Sequence, residues 1–265
     1  MVKSEMASAT VPVGDLLREW RQRRRLSQLD LACEADISTR HLSFVETGRS
    51  QPSREMVLHL AERLDVPLRE RNALLLAAGY APAFSERPLN DPALDQAREA
   101  IELVLKAHEP YPALAIDRYW TMLAANGALA GMLEGVDPTL LKPPVNVLRL
   151  SLHPNGVSPK ILNLGEWRAH LLARLRRQIE IAPDAKLTAL LEDLRSYPVR
   201  GEDHVSVDGS AVVVPLRFAI GGGVVLNLFS TTMVFGSPVD VTLSELAIES
   251  LFPADAATAK FLKNQ

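Results

Sequence analysis

The spacing of apolar positions changes twice along this chain. From Val13 to Gly79 they recur at helical spacing in short blocks, each closed by a turn residue. Val13, Leu16, Leu17 and Trp20 make the first stripe, which predicts a helix from about Pro12 to Arg24. Leu26-Ser27 breaks it, and Ser27 is a good N-cap for the next helix. In the run QLDLACEADISTRHLSFV, residues 28–45, apolar residues fall at Leu31, Ala35, Ile37, Leu42 and Val45. That spacing predicts two short helices that cross and share a core, with the small Ala32 at their closest approach. The second of them runs from about Ser38 to Glu46, capped by Ser38 and ended by Gly48. Asp36 stands at the turn, where such units most often carry Gly; Asp tolerates the left-handed conformation better than most residues. Pro52-Ser53 opens a fourth helix with a stripe of Met56, Val57, Leu60, Ala61 and Leu64, and Pro67 opens a fifth that stops at Gly79. Five helices make residues 1–82 a compact all-α domain.

Pro82, Pro88 and Pro92 then argue against a regular element. Residues 83–111 read as a linker and a connecting helix from about Pro92 to His108, with Ile101, Val104 and Leu105 on its apolar face. Residues 112–265 read as a second domain of α+β character. Pro112 to Ala125 alternates like two strands around a tight turn, and Asn126 to Leu133 reads as a short helix. Residues 137–198 read mostly helical; NVLRLSLHP fits either type, and the preceding Pro143-Pro144 favours helix. From Val205 the period becomes two, as AVVVPLRFAI, a triple glycine and VVLNLFSTTMVF, which predicts a long antiparallel hairpin. Gly221-Gly222-Gly223 lies between strands, so it reads as a hairpin turn and not as a phosphate cradle. SELAIESLFPADAATAKFL reads as a last helix, broken at Pro253.

Crossed helices of the 28–45 kind place the second helix to enter a DNA major groove, which makes the first domain a helix-turn-helix. Its outward positions are Thr39, Arg40, Ser43, Phe44 and Thr47, with Ser38 at its start. Arg40 is the first choice for reading a base, because arginine pairs bidentately with guanine. Thr39 and Ser43 suit bases or phosphates, and Phe44 suits a thymine methyl or the domain surface. His41 suits DNA or the core side. Gln28 at a helix N-terminus and Arg49 beyond the second helix suit phosphates. Glu46 repels phosphate and is expected to pair within the domain.

Charge sharpens this picture only locally. The chain of 265 residues carries a net −3, which sums from +1 over residues 1–82 and −4 over the remainder. Arg18, Arg21, Arg23, Arg24 and Arg25 face only Glu19 in sequence, and such a patch beside a helix-turn-helix is expected to meet phosphates. An apolar content of 47% suffices for ordinary cores. No run approaches the length of a membrane span, and the first residues lack the apolar stretch of a signal peptide. The single cysteine, Cys33, excludes an internal disulfide, fits a reducing cytoplasm and is expected to be a partly buried thiol.

LSQLDLA, HLSFVETGRSQPS and LAERLDV make the first 80 residues resemble the phage-repressor-like XRE family, a five-helix lambda-repressor-like DNA-binding fold. LRERNALLLAAGYAP, HEPYPALAIDRYW, PPVNVLRLSLHPNG, EWRAHLLARLRR and ELAIESLFPAD make the whole chain resemble a narrower group, the MmyB-like regulators. The resemblance implies a C-terminal PAS-like domain, with five strands and helices on one face. It also implies a small apolar ligand, such as a fatty acid, between sheet and helices. Trp120, Met122, Leu148 and Phe218 are then candidate apolar walls, and Asn126, Arg149 and His153 candidate partners for a carboxylate. Each has a plain structural role as its competitor.

The leading expectation is a ligand-responsive transcription regulator, homodimeric and cytoplasmic, on a double-stranded DNA operator with paired half-sites. A second reading makes the C-terminal domain a protein-interaction or dimerisation module with no small ligand. A third makes it a haem or flavin sensor: the absence of cysteine beyond residue 83 excludes a flavin–cysteine adduct, while His108, His153, His170 and His204 leave haem open. No metal-ligand spacing and no nucleophile–base set marks an enzyme, and no resident cofactor is expected.

Overall fold

A computed structural model describes residues 11–198 and 214–264. They fall into two compact units, residues up to 86 with 239–244, and the rest.

The first unit is built on α1 (Val13–Arg23), α2 (Gln28–Glu34), α3 (Thr39–Glu46), α4 (Arg54–Arg63) and α5 (Leu68–Ala77). Serines start α2, α3 and α4, and prolines precede α1 and α5. The Ser27 hydroxyl accepts from the Asp30 amide at 3.1 Å while the Asp30 carboxylate accepts from the Ser27 amide at 2.8 Å, a reciprocal capping box. Ser38 and Ser53 accept from the third amide of α3 and α4. Asp36 takes the turn with φ +51°, as its small polar side chain allows. Leu17, Leu31, Ala32, Leu42, Val45, Leu60 and Leu75 fill the core. Gly14 lies where α1 crosses the end of α3: a β-carbon there would meet the Val45 carbonyl and stand 2.8 Å from the Glu46 carbonyl. Gly14→Ala is therefore expected to destabilise this unit by about 1–3 kcal/mol, the cost of forced overpacking. Chemical denaturation followed on this unit checks it, and an unchanged midpoint would show that the helices part freely.

The second unit has at its centre a five-stranded antiparallel sheet in the order β2-β1-β5-β4-β3. Its strands are β1 (Ala113–Ile116), β2 (Met122–Ala125), β3 (Leu216–Ile220), β4 (Val224–Val234) and β5 (Ala247–Pro253). β5 corrects the expectation of a helix over 244–262: its first half is the middle strand, bonded to β1 and β4, and only α11 (Ala256–Lys263) is helical. A central strand is covered on both faces, so it shows no clean alternation for the period to reveal. The chain also returns to the first unit between β4 and β5, where α10 (Val241–Ser244) buries Val241.

Both faces of the sheet are covered, which corrects the expectation of helices on one face. On one side α6 (Asp95–Ala107) sets Ile101 and Leu105 against Ala113, Ala115 and Ile248. On the other lie α7 (Val147–Leu152), α8 (Leu164–Ile181), α9 (Ala185–Ser196) and the 3-10 stretch Gly127–Leu133. Their Leu148, Trp167, Leu171, Leu175 and Leu187 share one core with Phe218, Leu226, Leu228 and Leu251 of the sheet. The hairpin turn Gly222-Gly223 has φ +75° and +78°, which only glycine adopts readily. The start of the expected hairpin, 205–213, lies outside the described residues.

Candidate nucleic-acid interface and ligand cavity

In the first unit α3 turns Leu42, Val45 and Glu46 inward and leaves Arg40 exposed and Thr39, His41, Ser43 and Phe44 partly so. Two guanidinium groups lie close to the Phe44 ring centre, Arg40 at 5.3 Å and Arg49 at 5.9 Å. Two cations about one aromatic ring make a positive, partly apolar surface on α3. The Thr47 hydroxyl returns to its own helix, at 2.7 Å from the Ser43 carbonyl.

Glu46 holds this helix to its neighbours. Its side chain is 0% exposed and accepts from Arg21 Nε at 2.7 Å and Nη2 at 2.8 Å, and from Gln28 Nε2 at 2.8 Å. Burial pushes its carboxyl up, but the hydrogen bonds from Arg21 and Gln28 and the arginine charges outweigh that and hold it below the ordinary range. Gln28, at the first position of α2, is thus oriented by Glu46.

The arginine run does not form the free patch its sequence suggested. Arg21 is buried on Glu46, Arg18 donates to the Glu46 carbonyl at 2.6 Å, and Arg23 pairs with Glu19. Arg24, a candidate phosphate ligand, instead donates to the carbonyls of Leu64 and Asp65, both at 2.7 Å, and caps the end of α4. Cys33 is exposed, where a partly buried thiol was expected.

In the second unit a cavity of about 130 Å³ opens between the sheet and α7–α8. Trp120, Met122, Leu148, Leu171, Phe218 and Leu251 give it an apolar wall. Polar side chains reach it at few points: Ser151, Ser230, Arg174 and Glu249. Ser151 already accepts from Trp167 Nε1 at 3.1 Å. Trp120 has φ +63°, unusual for a bulky residue, and its indole donates to Gln178 Oε1 at 2.9 Å. The Gln178 amide in turn donates to the Arg118 carbonyl at 2.7 Å, so the strained turn is bonded on both sides.

Residues 97–264 match the family model described as the MmyB-like transcription regulator ligand binding domain, well over half the chain. The chain belongs to this MmyB-like family. Residues 12–74 match a helix-turn-helix domain. A protein of Methanoculleus marisnigri named as an HTH-type transcriptional regulatory protein is 35% identical over 118 residues, which cover 43% of this chain and 38% of the relative. The matched region thus spans well under half of that relative.

In this MmyB-like domain Trp120, Met122, Leu148 and Phe218 line the cavity together. The three expected polar partners do not join them. Asn126 is fully engaged in structure: Oδ1 accepts from the Ala113 amide at 3.0 Å and Nδ2 donates to Tyr111 at 2.7 Å and Leu105 at 3.1 Å. Arg149 is exposed, pairs with Asp193 and lines a separate, open cleft of about 350 Å³ with Lys142 and Lys186. His153 Nδ1 accepts from the Asn155 amide at 3.0 Å, and its ring stands edge-on to Tyr197. Arg149 and His153 do lie a helical turn apart, but that turn is at the outer end of α7. Among the other histidines, His108 donates to the Leu251 carbonyl at 3.0 Å, His170 stacks on Trp167, and His204 lies outside the described residues.

Arg174 and Glu249 are the polar pair that sequence reasoning missed. Arg174 had a signal: Trp167, Leu171 and Arg174 stand at i, i+4 and i+7 of α8, so a cation occupies the buried stripe. Glu249 had none once β5 was taken for a helix.

Proposed function

We propose that this chain is a DNA-binding transcriptional regulator whose C-terminal domain senses a small, mainly apolar ligand. The observation that supports it best is the mainly apolar cavity of about 130 Å³ in a chain that also carries a helix-turn-helix. A space lined mostly by aliphatic and aromatic side chains favours an apolar occupant, and an engineered cavity of about 150 Å³ takes up benzene. The apolar part of the ligand is then of ring or short-alkyl size; a fatty acid would place a stretch of that length here. On the DNA side α3 enters the major groove, with Arg40 on a base edge and Phe44, Thr39 and Ser43 beside it. Gln28, Ser38, His41 and Arg49 flank the phosphates, while Arg24 keeps its capping role. In this reading the regulator acts as a homodimer, whose two recognition helices would meet half-sites about one helical turn apart.

Arg40→Ala is expected to lower specific binding by about 1–3 kcal/mol and to relax one base position. Titrations against an operator selected from random sequence, and its single-base variants, check this. Equal weakening on every sequence would make Arg40 a phosphate contact. Native mass spectrometry of the full chain and of its organic extract tests the ligand. A recurring small apolar molecule supports the sensor, whereas a clean mass and no ligand-induced stabilisation would favour an interaction module.

A further inference from the structure

Apart from Ser151 and Ser230 the cavity wall is apolar except at one corner, and that corner carries both signs of charge. Glu249 sits on the central strand, opposite Leu114 of β1 and Thr232 of β4, with its side chain only 10% exposed. Arg174 reaches it from α8 with a two-pronged contact, Nη2 to Oε1 at 2.6 Å and Nη1 to Oε2 at 3.2 Å. Thr232 donates to Glu249 Oε1 at 2.9 Å, and Arg174 lies 4.8 Å from the Trp120 ring centre. A carboxylate in the middle of a sheet is the kind of buried polar group that requires a reason. The pair brings the cavity's net charge to zero. His170, one turn before Arg174, adds none at neutral pH, since burial first and the Arg174 charge second push its pKa down.

We propose that Arg174 and Glu249 together select a ligand whose polar head is uncharged and offers both a donor and an acceptor, such as a primary amide, an alcohol or a carboxylic acid in its protonated form. The proposal rests on the cavity being a ligand site. The reason is charge balance. A head with a carbonyl or hydroxyl oxygen for Arg174 and an N–H or O–H for Glu249 inserts without leaving either ion unpaired. An ionised carboxylate would compete with Glu249 for one guanidinium, leaving two anions and one cation at a corner where the Glu249 side chain is 10% and the Arg174 side chain 28% exposed, which is costly. Glu249 is thus the discriminating residue, acting against anions, and Arg174 supplies the donor common to all these heads.

The test is a titration of the full chain at neutral pH, by calorimetry, with hexanamide, 1-hexanol and sodium hexanoate, which share a six-carbon body. The wild type is expected to bind hexanamide at least about tenfold more tightly than hexanoate, or about 1.4 kcal/mol. Glu249→Gln removes the anion and nearly keeps the shape; it is expected to erase or reverse that preference. Hexanoate bound as tightly as hexanamide by the wild type would overturn the proposal, as would a preference unaltered in Glu249→Gln. Should Glu249→Gln fail to fold, the wild-type ranking decides by itself. If none of the three binds the wild type, the cavity is not a site for ligands of this size and the proposal is overturned, while the sensor reading is decided by the native mass and organic extract of the full chain.

Discussion

Glu46→Ala is expected to remove about 3–5 kcal/mol from the first unit, because it leaves the Arg21 guanidinium buried without its counter-charge. Glu46 is 0% exposed on its side chain and Arg21 10%. Arg21 would retain a single strong acceptor, the Leu26 carbonyl at 2.9 Å. The loss compares with a total stability of about 5–15 kcal/mol for a domain, so the variant should populate an unfolded first unit near physiological temperature. The effect on DNA follows from the same bonds. Glu46 is the last residue of α3 and ties it to α1 through Arg21 and to the start of α2 through Gln28. Specific binding should therefore fall although Glu46 touches no DNA. Hydrogen exchange over residues 13–46, with denaturation of the full chain, checks the prediction. A loss below about 1 kcal/mol would mean that Arg21 finds water or another partner, as surface pairs do. Glu46→Gln, which keeps the shape and one acceptor oxygen, should fall between.

The same pair gives the first unit a slope with acid. The folded Glu46 carboxyl titrates below its unfolded value, so its contribution is present above the unfolded value of about 4.3 and is lost as pH falls below it. The Glu46 share of the slope should be absent in Glu46→Gln, leaving that of Asp30, whose carboxyl the Ser27 hydrogen bonds also hold down. A slope that persists undiminished would have to come from other carboxylates.

The parts of the fold that rest on neighbours in sequence could be read from it. Ser27, Ser38 and Ser53 each cap within three residues, and Asp36 accepts its φ of +51° through its own side chain. The four apolar wall residues of the cavity came with the family resemblance: Met122, Leu148 and Phe218 face inward from strands and a helix, while Trp120 does so from the turn before β2. What failed depends on partners far along the chain. β5 is a strand because β1 and β4 flank it, and nothing local in AIESLF says so. Gly14 is required by carbonyls more than thirty residues later. The run from Arg18 to Arg25 looked like one patch because charge is easy to count. In the folded chain Arg18 and Arg21 share Glu46 and Arg24 caps at Leu64 and Asp65, partners that only the geometry reveals. Arg149 and His153 were adjacent on a helix and therefore plausible, whereas Arg174 and Glu249 meet only when α8 lies over β5.

Phe218→Ala is expected to cost the second unit a similar amount, about 3–5 kcal/mol, and its sequel bears on function. Phe218 is 0% exposed on β3, and its ring is wall to the cavity and filling to the core at once. The wild-type cavity is already a cost: at about 24 cal/mol per Å³ of void, the roughly 130 Å³ observed withholds about 3 kcal/mol of packing. A domain that needed only stability would have closed it, as Leu-rich cores readily do. A ligand that fills the space recovers that energy, which is how occupancy can be felt as stability. Removing the Phe218 ring enlarges the void, so the variant should be weaker when empty and should gain more from a ring-sized apolar compound. At about one hundred times its dissociation constant such a compound restores about 2.7 kcal/mol. Thermal unfolding of wild type and variant, with and without benzene, measures both halves. A full loss with benzene rescue greater than in wild type means that the enlarged cavity stays open and dry. A small loss without rescue would mean that β3 collapses onto α8, and that the space in the wild type is held open by Phe218 alone.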